Sequence, residues 1–307
     1  MNNSKIAVVG SSNTDMIIKL DKIPVPGETV LGGEFSIAAG GKGANQAVAA
    51  ARAGGDVTFI AAVGNDSLGT EAVEGFRRDG INVDWITKVE NVASGVALIF
   101  VDRHGENSIA VASGANAVLS PENILDSKQV ISQAQILLMQ LETPIETVTR
   151  AAQLAHEAGV RVILNPAPAQ SLDDGLLKMI SILTPNETEA ELLTNIKVED
   201  EAGARNAAEV LLGKGIDSVL ITLGARGVFL ATRDTRELIP GFKVDAVDTT
   251  AAGDVFNGAL AVALAENKSF DEAIRFANAA AALSVTKLGA QPSAHPRKDI
   301  VSFLNER

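Results

Sequence analysis

The segment Asp248-Thr249-Thr250-Ala251-Ala252-Gly253-Asp254 runs straight into an apolar helical pattern that starts at Val255. Small side chains at a helix start let backbone N–H groups converge on an anion, and the helix dipole favours negative charge there. The candidate donors are Ala251, Ala252 and Gly253. Asp254 follows at once, which puts a carboxylate beside a bound phosphate, where a general base would take the proton of a hydroxyl attacking phosphorus. The same residues also suit an ordinary helix start in which Asp254 only complements the dipole.

A second cluster, Gly40-Gly41-Lys42-Gly43-Ala44-Asn45, precedes an alanine-rich helical stretch. Its glycines permit close approach of backbone to a ligand, Lys42 offers a point charge, and Asn45 offers a donor and an acceptor. It is neither a Walker A loop nor a dinucleotide fingerprint, since GxGxxG fails at Gln46. A tight strand-to-helix turn is the alternative. Ser11-Ser12-Asn13-Thr14-Asp15 follows the first strand pattern, at the strand end where open α/β sheets bind ligands, or simply forms a turn. Asn186-Glu187-Thr188-Glu189 reads either as an acidic helix start or as a site at which Asn186 and Glu189 orient the waters of Mg²⁺ and a nucleotide phosphate. Thr222-Leu223-Gly224-Ala225-Arg226-Gly227 reads as a hairpin turn or as the wall of a nucleotide pocket.

Composition narrows the chemistry. The 307 residues contain no cysteine, which excludes disulfides, thiolate metal sites and cysteine nucleophiles, and the three scattered histidines show no ligand spacing. A net charge of −12 and 4% aromatic residues with no tyrosine argue against nucleic acid and anionic membranes as partners. The longest apolar run, residues 258–265, is far short of the roughly 20 residues that span a bilayer. No secretory h-region follows the first residues, so a cytoplasmic location is expected.

Strand-like runs at residues 6–9, 57–62, 136–140, 160–165, 180–184 and 219–222 alternate with amphipathic helical patterns. That order predicts an α/β fold with a mostly parallel sheet covered by helices on both faces. Ser120-Pro121 and Thr143-Pro144 read as helix starts, Thr143-x-x-Glu146 and Ser269-x-x-Glu272 as capping boxes, and Gly80 and Gly159 as C-cap glycines. Residues 16–20 with 29–38, and 96–101 with 107–112, break the rhythm and read as β ribbons. They predict a small, mostly antiparallel sheet, built from about residues 14–38 and 95–113, that serves as a lid on one α/β domain covering residues 1–307.

Together these segments resemble the ribokinase family of sugar kinases. The resemblance covers nearly the whole chain and rests on GGKGAN, with Gly54 and Gly64 at the later spacing, and on DTTAAGD, with NETE and TLGARG between them in the family's order. SSNTD, GETV at residues 27–30, MQLE at 139–142 and NPAP at 165–168 bring it nearer the ribose-phosphorylating members than more distant ones. One departure is Ala251, where the wider family often has glycine; an N–H suffices there, so little loss is expected.

The resemblance implies transfer of the ATP γ-phosphoryl group to the 5-hydroxyl of D-ribose, with Asp254 as base and the Ala251, Ala252 and Gly253 amides as the anion hole. It places Asn13, Asp15, Gly41, Lys42, Asn45 and Glu142 on the sugar side, Asp15 accepting from vicinal hydroxyls. It places Asn186, Glu189, Thr222, Gly224, Gly227 and Asn278 with the nucleotide and its Mg²⁺. It implies a K⁺ site from Asp248, Thr250, Ser284, Lys287, Gly289 and Ser293, held mostly by backbone carbonyls, and a homodimer joined through the lid. The alternatives are a kinase for another furanose, 2-deoxyribose or a nucleoside, and a non-catalytic sugar or nucleotide sensor. A nucleotide-binding dehydrogenase fails for want of GxGxxG and of a plausible catalytic histidine.

Overall fold

Apolar runs too short for helices and bounded by turn residues become strands, and the computed structural model, which describes residues 4–307, arranges them in two sheets. The first three residues of the expected domain lie outside the described part. In chain order the strands are β1 (Lys5–Val9), β2 (Asn13–Lys19), β3 (Glu34–Gly40), β4 (Asp56–Gly64), β5 (Ile86–Val89), β6 (Gly95–Val101), β7 (Asn107–Ala112), β8 (Ile136–Met139), β9 (Arg161–Leu164), β10 (Ile182–Leu183), β11 (Ser218–Thr222), β12 (Gly227–Ala231) and β13 (Arg236–Pro240). The large sheet has the order β13-β12-β11-β10-β9-β8-β1-β4-β5. Its pairings are parallel from β5 to β11, and β12 and β13 add an antiparallel edge.

Both faces of this sheet are covered, as the unbroken apolar runs require. Ile6 and Val8 of β1 pack with Phe59, Leu138 and the helices Lys42–Arg52 and Ala252–Ala265 on one side. Ala7 and Val9 pack with Ile60, Met139 and the helices Ile145–Glu157 and Glu201–Gly213 on the other. The capping box expected at Ser269 forms with Glu272, and the helix start expected at Ser120 proves to be a capping box as well, with Asn123 as its partner. The one expected at Thr143 does not. Pro144 takes the N-cap position of Ile145–Glu157, no side chain caps that end, and the Thr143 hydroxyl is buried without a partner.

The small sheet has the order β3-β2-β6-β7, with β2 parallel to β6 and the other pairs antiparallel. Its first ribbon is shorter than the sequence suggests: β3 begins at Glu34, because Gly32 and Gly33 take positive φ and end the extended run. β2 leaves the tip of β1 and β3 runs into the start of the helix Lys42–Arg52, so the small sheet is attached at the C-terminal end of the parallel strands.

Candidate active site

Two loops meet where β1 ends. Gly41 has φ +89, and a Cβ there would fall 2.7 Å from the Asn13 nitrogen; one on Gly43 would fall 2.5 Å from the Ser11 nitrogen. Only glycine lets the two segments touch, and the Ala44 N–H then donates to the Ser11 carbonyl at 2.8 Å. Glu142, just past β8, clamps the junction: its Oε2 accepts from the Lys42 N–H at 2.9 Å and from Ser11 Oγ at 2.5 Å. Asn13 is turned by Asn116, whose Nδ2 donates to its Oδ1 at 2.8 Å.

Asp15 on β2 packs against Gly40, and its carboxylate receives no hydrogen bond from any described residue. Burial, with the Glu142 carboxylate adding to the effect, pushes its carboxyl up to about 6. An acceptor kept partly dry and without a donor is suited to bind ligand hydroxyls.

Asp254 lies in the first turn of Ala252–Ala265 but does not cap it. Its Oδ2 accepts from Asn45 Nδ2 at 3.0 Å and its Oδ1 from Gln46 Nε2 at 2.9 Å. Burial pushes its carboxyl above the ordinary value, while the Lys42 charge and the two amide donors act in the other direction and Glu142 adds to the rise. The carboxylate is therefore both fixed in direction and made more basic.

The turn before it differs in one donor from expectation. The Ala252 N–H bonds to the Thr249 carbonyl at 3.2 Å, because Ala251 adopts a left-handed conformation (φ 59) that folds the chain back. Among the described residues no protein acceptor takes the N–H groups of Ala251, Gly253 and Asp254, so these three, and not Ala252, are free to face an anion. Ala251 also needs more than an N–H; it needs the αL region, where a Cβ is costly.

The anion turn opens onto a cavity of about 190 Å³ lined by Lys42, Asn186, Glu189, Thr222, Gly253 and Asp254. Lys42 thus donates its backbone N–H to Glu142 and also lines this cavity. Asn186 and Glu189 form a reciprocal capping box, so the plain helix-start reading holds, yet Glu189 also reaches the cavity. Burial raises its carboxyl, opposed by the Asn186 N–H and Lys42 and reinforced by Asp254. A second, mostly apolar cavity of about 480 Å³ continues from Thr222 and Gly253 past Gly224, Gly227, Phe256 and Asn278. The Thr222–Gly227 segment is both the hairpin turn between β11 and β12 and a wall of this cavity. Gly227 is required there: its φ is +105, and a Cβ would fall 2.1 Å from the Ile239 carbonyl.

Asp248 ties the anion turn to the loop after Phe270–Ser284, accepting from the Thr250 N–H at 2.9 Å and the Gly289 N–H at 2.8 Å. Burial opposes ionisation, but these bonds from Thr250 and Gly289 hold its carboxyl below the ordinary range. Ser284 and Ser293 are buried with their hydroxyls donating to the Ala281 and Ala290 carbonyls, and Lys287 is exposed.

Sequence reasoning missed Gln46, Gln140, Asn165, Thr184 and Asn257, which link the strand tips to the acid and its helix. A signal existed. Gln140, Asn165 and Thr184 are the polar residues that close three apolar strand runs at the ligand-binding end of the sheet.

The profile of the pfkB family of carbohydrate kinases matches residues 3–297. The chain belongs to this family. A ribokinase of Haemophilus influenzae is 52% identical over 97% of this chain and 98% of that protein. A deoxyribokinase of Salmonella typhi is 39% identical over 94% of each. Among solved structures, Arabidopsis thaliana ribokinase complexed with ribose and ATP superposes with a TM-score of 0.94 at 35% identity, covering 98% of this chain and 99% of that one. In this pfkB kinase Glu142 holds the Lys42 backbone at the start of the helix that carries Asn45 to Asp254, and Asp254 lines the smaller cavity, which shares Thr222 and Gly253 with the larger one.

Proposed function

We propose that the chain transfers the γ-phosphoryl group of ATP to the 5-hydroxyl of D-ribose. The observation that carries this is the position of Asp254, held by the Asn45 amide of the glycine cluster and standing in the turn that frees three N–H groups. Ribose is bound by Asn13, Asp15, Gly41, Lys42, Asn45 and Glu142, with Asp15 accepting from vicinal hydroxyls. The adenosine occupies the larger cavity against Gly224, Gly227 and Asn278. The phosphates reach through the smaller one past Thr222, Asn186 and Glu189.

Asp254 takes the proton from the attacking hydroxyl. In a loose transition state this transfer comes late, when the hydroxyl has become acidic, so a raised carboxyl suffices. The N–H groups of Ala251, Gly253 and Asp254 face the charge on the transferring group, and Lys42 adds a cation beside it. Mg²⁺ bound with the nucleotide would neutralise phosphate charge; Glu189 and Asn186 would hold its waters, and the donor set fits, since one Glu189 oxygen has no partner within the capping box. A K⁺ site formed by Asp248, Thr250, Ser284, Lys287, Gly289 and Ser293 would keep the turn preorganised. The fit is supported by Asp248 joining both segments. We place the enzyme in the cytoplasm, where ATP is at hand; no helix among the described residues is long and apolar enough to cross a membrane.

The small sheet acts as a lid and as a dimer surface. Phe35 and Ile37 on β3 and Leu98 on β6 share, by strand register, the face turned away from Asp15. All three are exposed, a surface suited to a second copy of the chain. Sedimentation of wild type as a dimer and of Phe35→Asp as a monomer would support this; a monomeric wild type would refute it.

A 2-deoxyribose kinase is the second reading, favoured by the 39% identity to a deoxyribokinase. A coupled ATPase panel of pentoses, hexoses and nucleosides with Mg²⁺ decides. Ribose is expected to give the highest kcat/KM; a higher value for 2-deoxyribose would transfer the assignment, and no sugar-dependent turnover would leave a sensor.

A further inference from the structure

A chain of buried amides ends on the acid. Gln46 is fully buried, and its Nε2 donates both to Asp254 Oδ1 at 2.9 Å and to Asn165 Oδ1 at 3.0 Å. Its Oε1 accepts from Gln140 Nε2 at 2.6 Å. Each link has one satisfying orientation. If Gln46 were turned over, its oxygen would face the two acceptors and its nitrogen would face the Gln140 nitrogen. Asn165 is held by donating Nδ2 to the Thr184 carbonyl at 3.1 Å. Gln140 Oε1 is buried without a partner, in the space left because residue 10 is glycine; a Cβ there would fall 2.2 Å from it. On the other side of the acid, Asn45 Oδ1 is also buried without a partner, on the amide that donates to Asp254 Oδ2.

We propose that Gln46 is a positioning residue for the general base: it fixes Asp254 Oδ1 to the tips of β8 and β9, so that Oδ2 is presented to the attacking hydroxyl, and Gln140 sets which end of the Gln46 amide faces the base. This rests on the assignment of Asp254 as base. The charged groups facing Asp254 are Lys42 from its helix, Glu142 from the segment after β8 and Glu189 from the helix Glu187–Thr194. None of them touches the Gln140–Gln46 pair through a hydrogen bond, so an amide substitution acts on the base without removing a charge.

The test uses Gln46→Met, which keeps length and volume but cannot donate. Its kcat should fall about 10- to 100-fold, a part of what a general base contributes, with the KM for ribose within about threefold. The acidic limb of kcat against pH should move up by about one unit, because a donor to the charged form is lost. Gln46→Glu, an acceptor in the same place, should not rescue. Gln140→Met does not touch Asp254 and should lower kcat less, about 3- to 10-fold, moving the limb in the same direction. The double Met variant should be no slower than Gln46→Met alone, since both act through one link. A folded Gln46→Met with wild-type kcat and acidic limb overturns the proposal, as does a double variant slowed by the product of the singles. If Gln46→Met fails to fold, an unchanged kcat and limb in Gln140→Met overturns it. If instead Asp254→Asn retains full turnover, it is the base assignment that fails.

Discussion

Asn45 Nδ2 donates to Asp254 Oδ2 at 3.0 Å, joining residues 209 positions apart and with them the glycine cluster to the anion turn. The glycine cluster and the anion turn therefore meet on one carboxylate. Asp254→Asn leaves one acceptor oxygen for two amide donors, a loss of about 1–3 kcal/mol, but it also removes a buried charge, so the fold should persist. Turnover should fall by about 10² to 10⁴, the contribution of a positioned general base. Calorimetric ribose binding should remain. A folded variant within about threefold of the wild-type rate would remove Asp254 from the role of base.

Asp15 carries a pH dependence of definite sign. Its carboxyl titrates near 6 in the folded chain, above the ordinary value of 3.8, so its ionised form is a burden on the fold. That burden is fully present above about pH 6 and disappears as pH falls toward 4. Asp15→Asn should therefore be more stable than wild type at pH 7.5, by about 1–2 kcal/mol after allowance for partial solvation, and the gap should close by about pH 4. The KM for ribose should rise as the pH falls below about 6, because a protonated carboxyl cannot accept from two hydroxyls. Urea melts across this range and KM on either side of it check both; a gap that widens toward acid would contradict the assignment.

Ala251 holds φ 59, a region in which a Cβ costs about 1–2 kcal/mol. Ala251→Gly removes that strain but adds unfolded-state entropy, roughly 0.5–1 kcal/mol. The variant should be equal or up to about 1 kcal/mol more stable, with kcat within about twofold, because the N–H is kept. A clear loss of stability in thermal melts would show that the Ala251 methyl makes packing contacts that outweigh the strain.

A K⁺ site behind the anion turn should raise kcat more than it lowers KM, with K⁺ preferred to Na⁺. Asp248→Ala releases both the Thr250 and the Gly289 N–H groups and should weaken that activation. Desalted enzyme with the same rate in K⁺ and in a non-coordinating organic cation would rule the site out.

The parallel core is legible because its strands are buried on both faces and carry little but apolar residues, as in Ile136–Met139. β5 is not, since Ile86–Val89 is short and only partly buried, and its apolar content resembles a loop. The Thr143 capping box fails because Pro144 is extended (ψ 137) and starts the helix one residue later. At the site, residues whose type announces chemistry stand out from the sequence: Asp254, Asp15, Lys42 and the glycines. Gln46 and Gln140 do not, since a glutamine inside an apolar pattern declares no role until its partners are placed beside it; Gln46 lies 208 positions from Asp254 and 94 from Gln140. The sequence assigns Ala251 an N–H and nothing more, because a left-handed φ at alanine has no sequence signature.

If Asp254 is the base that directs the γ-phosphoryl group of ATP to one particular hydroxyl, both the product and the rate must show it. The direct measurement is phosphorus and carbon NMR of the product formed from ATP and uniformly ¹³C-labelled ribose, by wild type and by Asp254→Asn. Wild type should give one phosphomonoester whose phosphorus couples to C5, and the variant the same product at least about 100-fold more slowly. Phosphorus coupled to C1, or equal rates from the two proteins, would contradict the account.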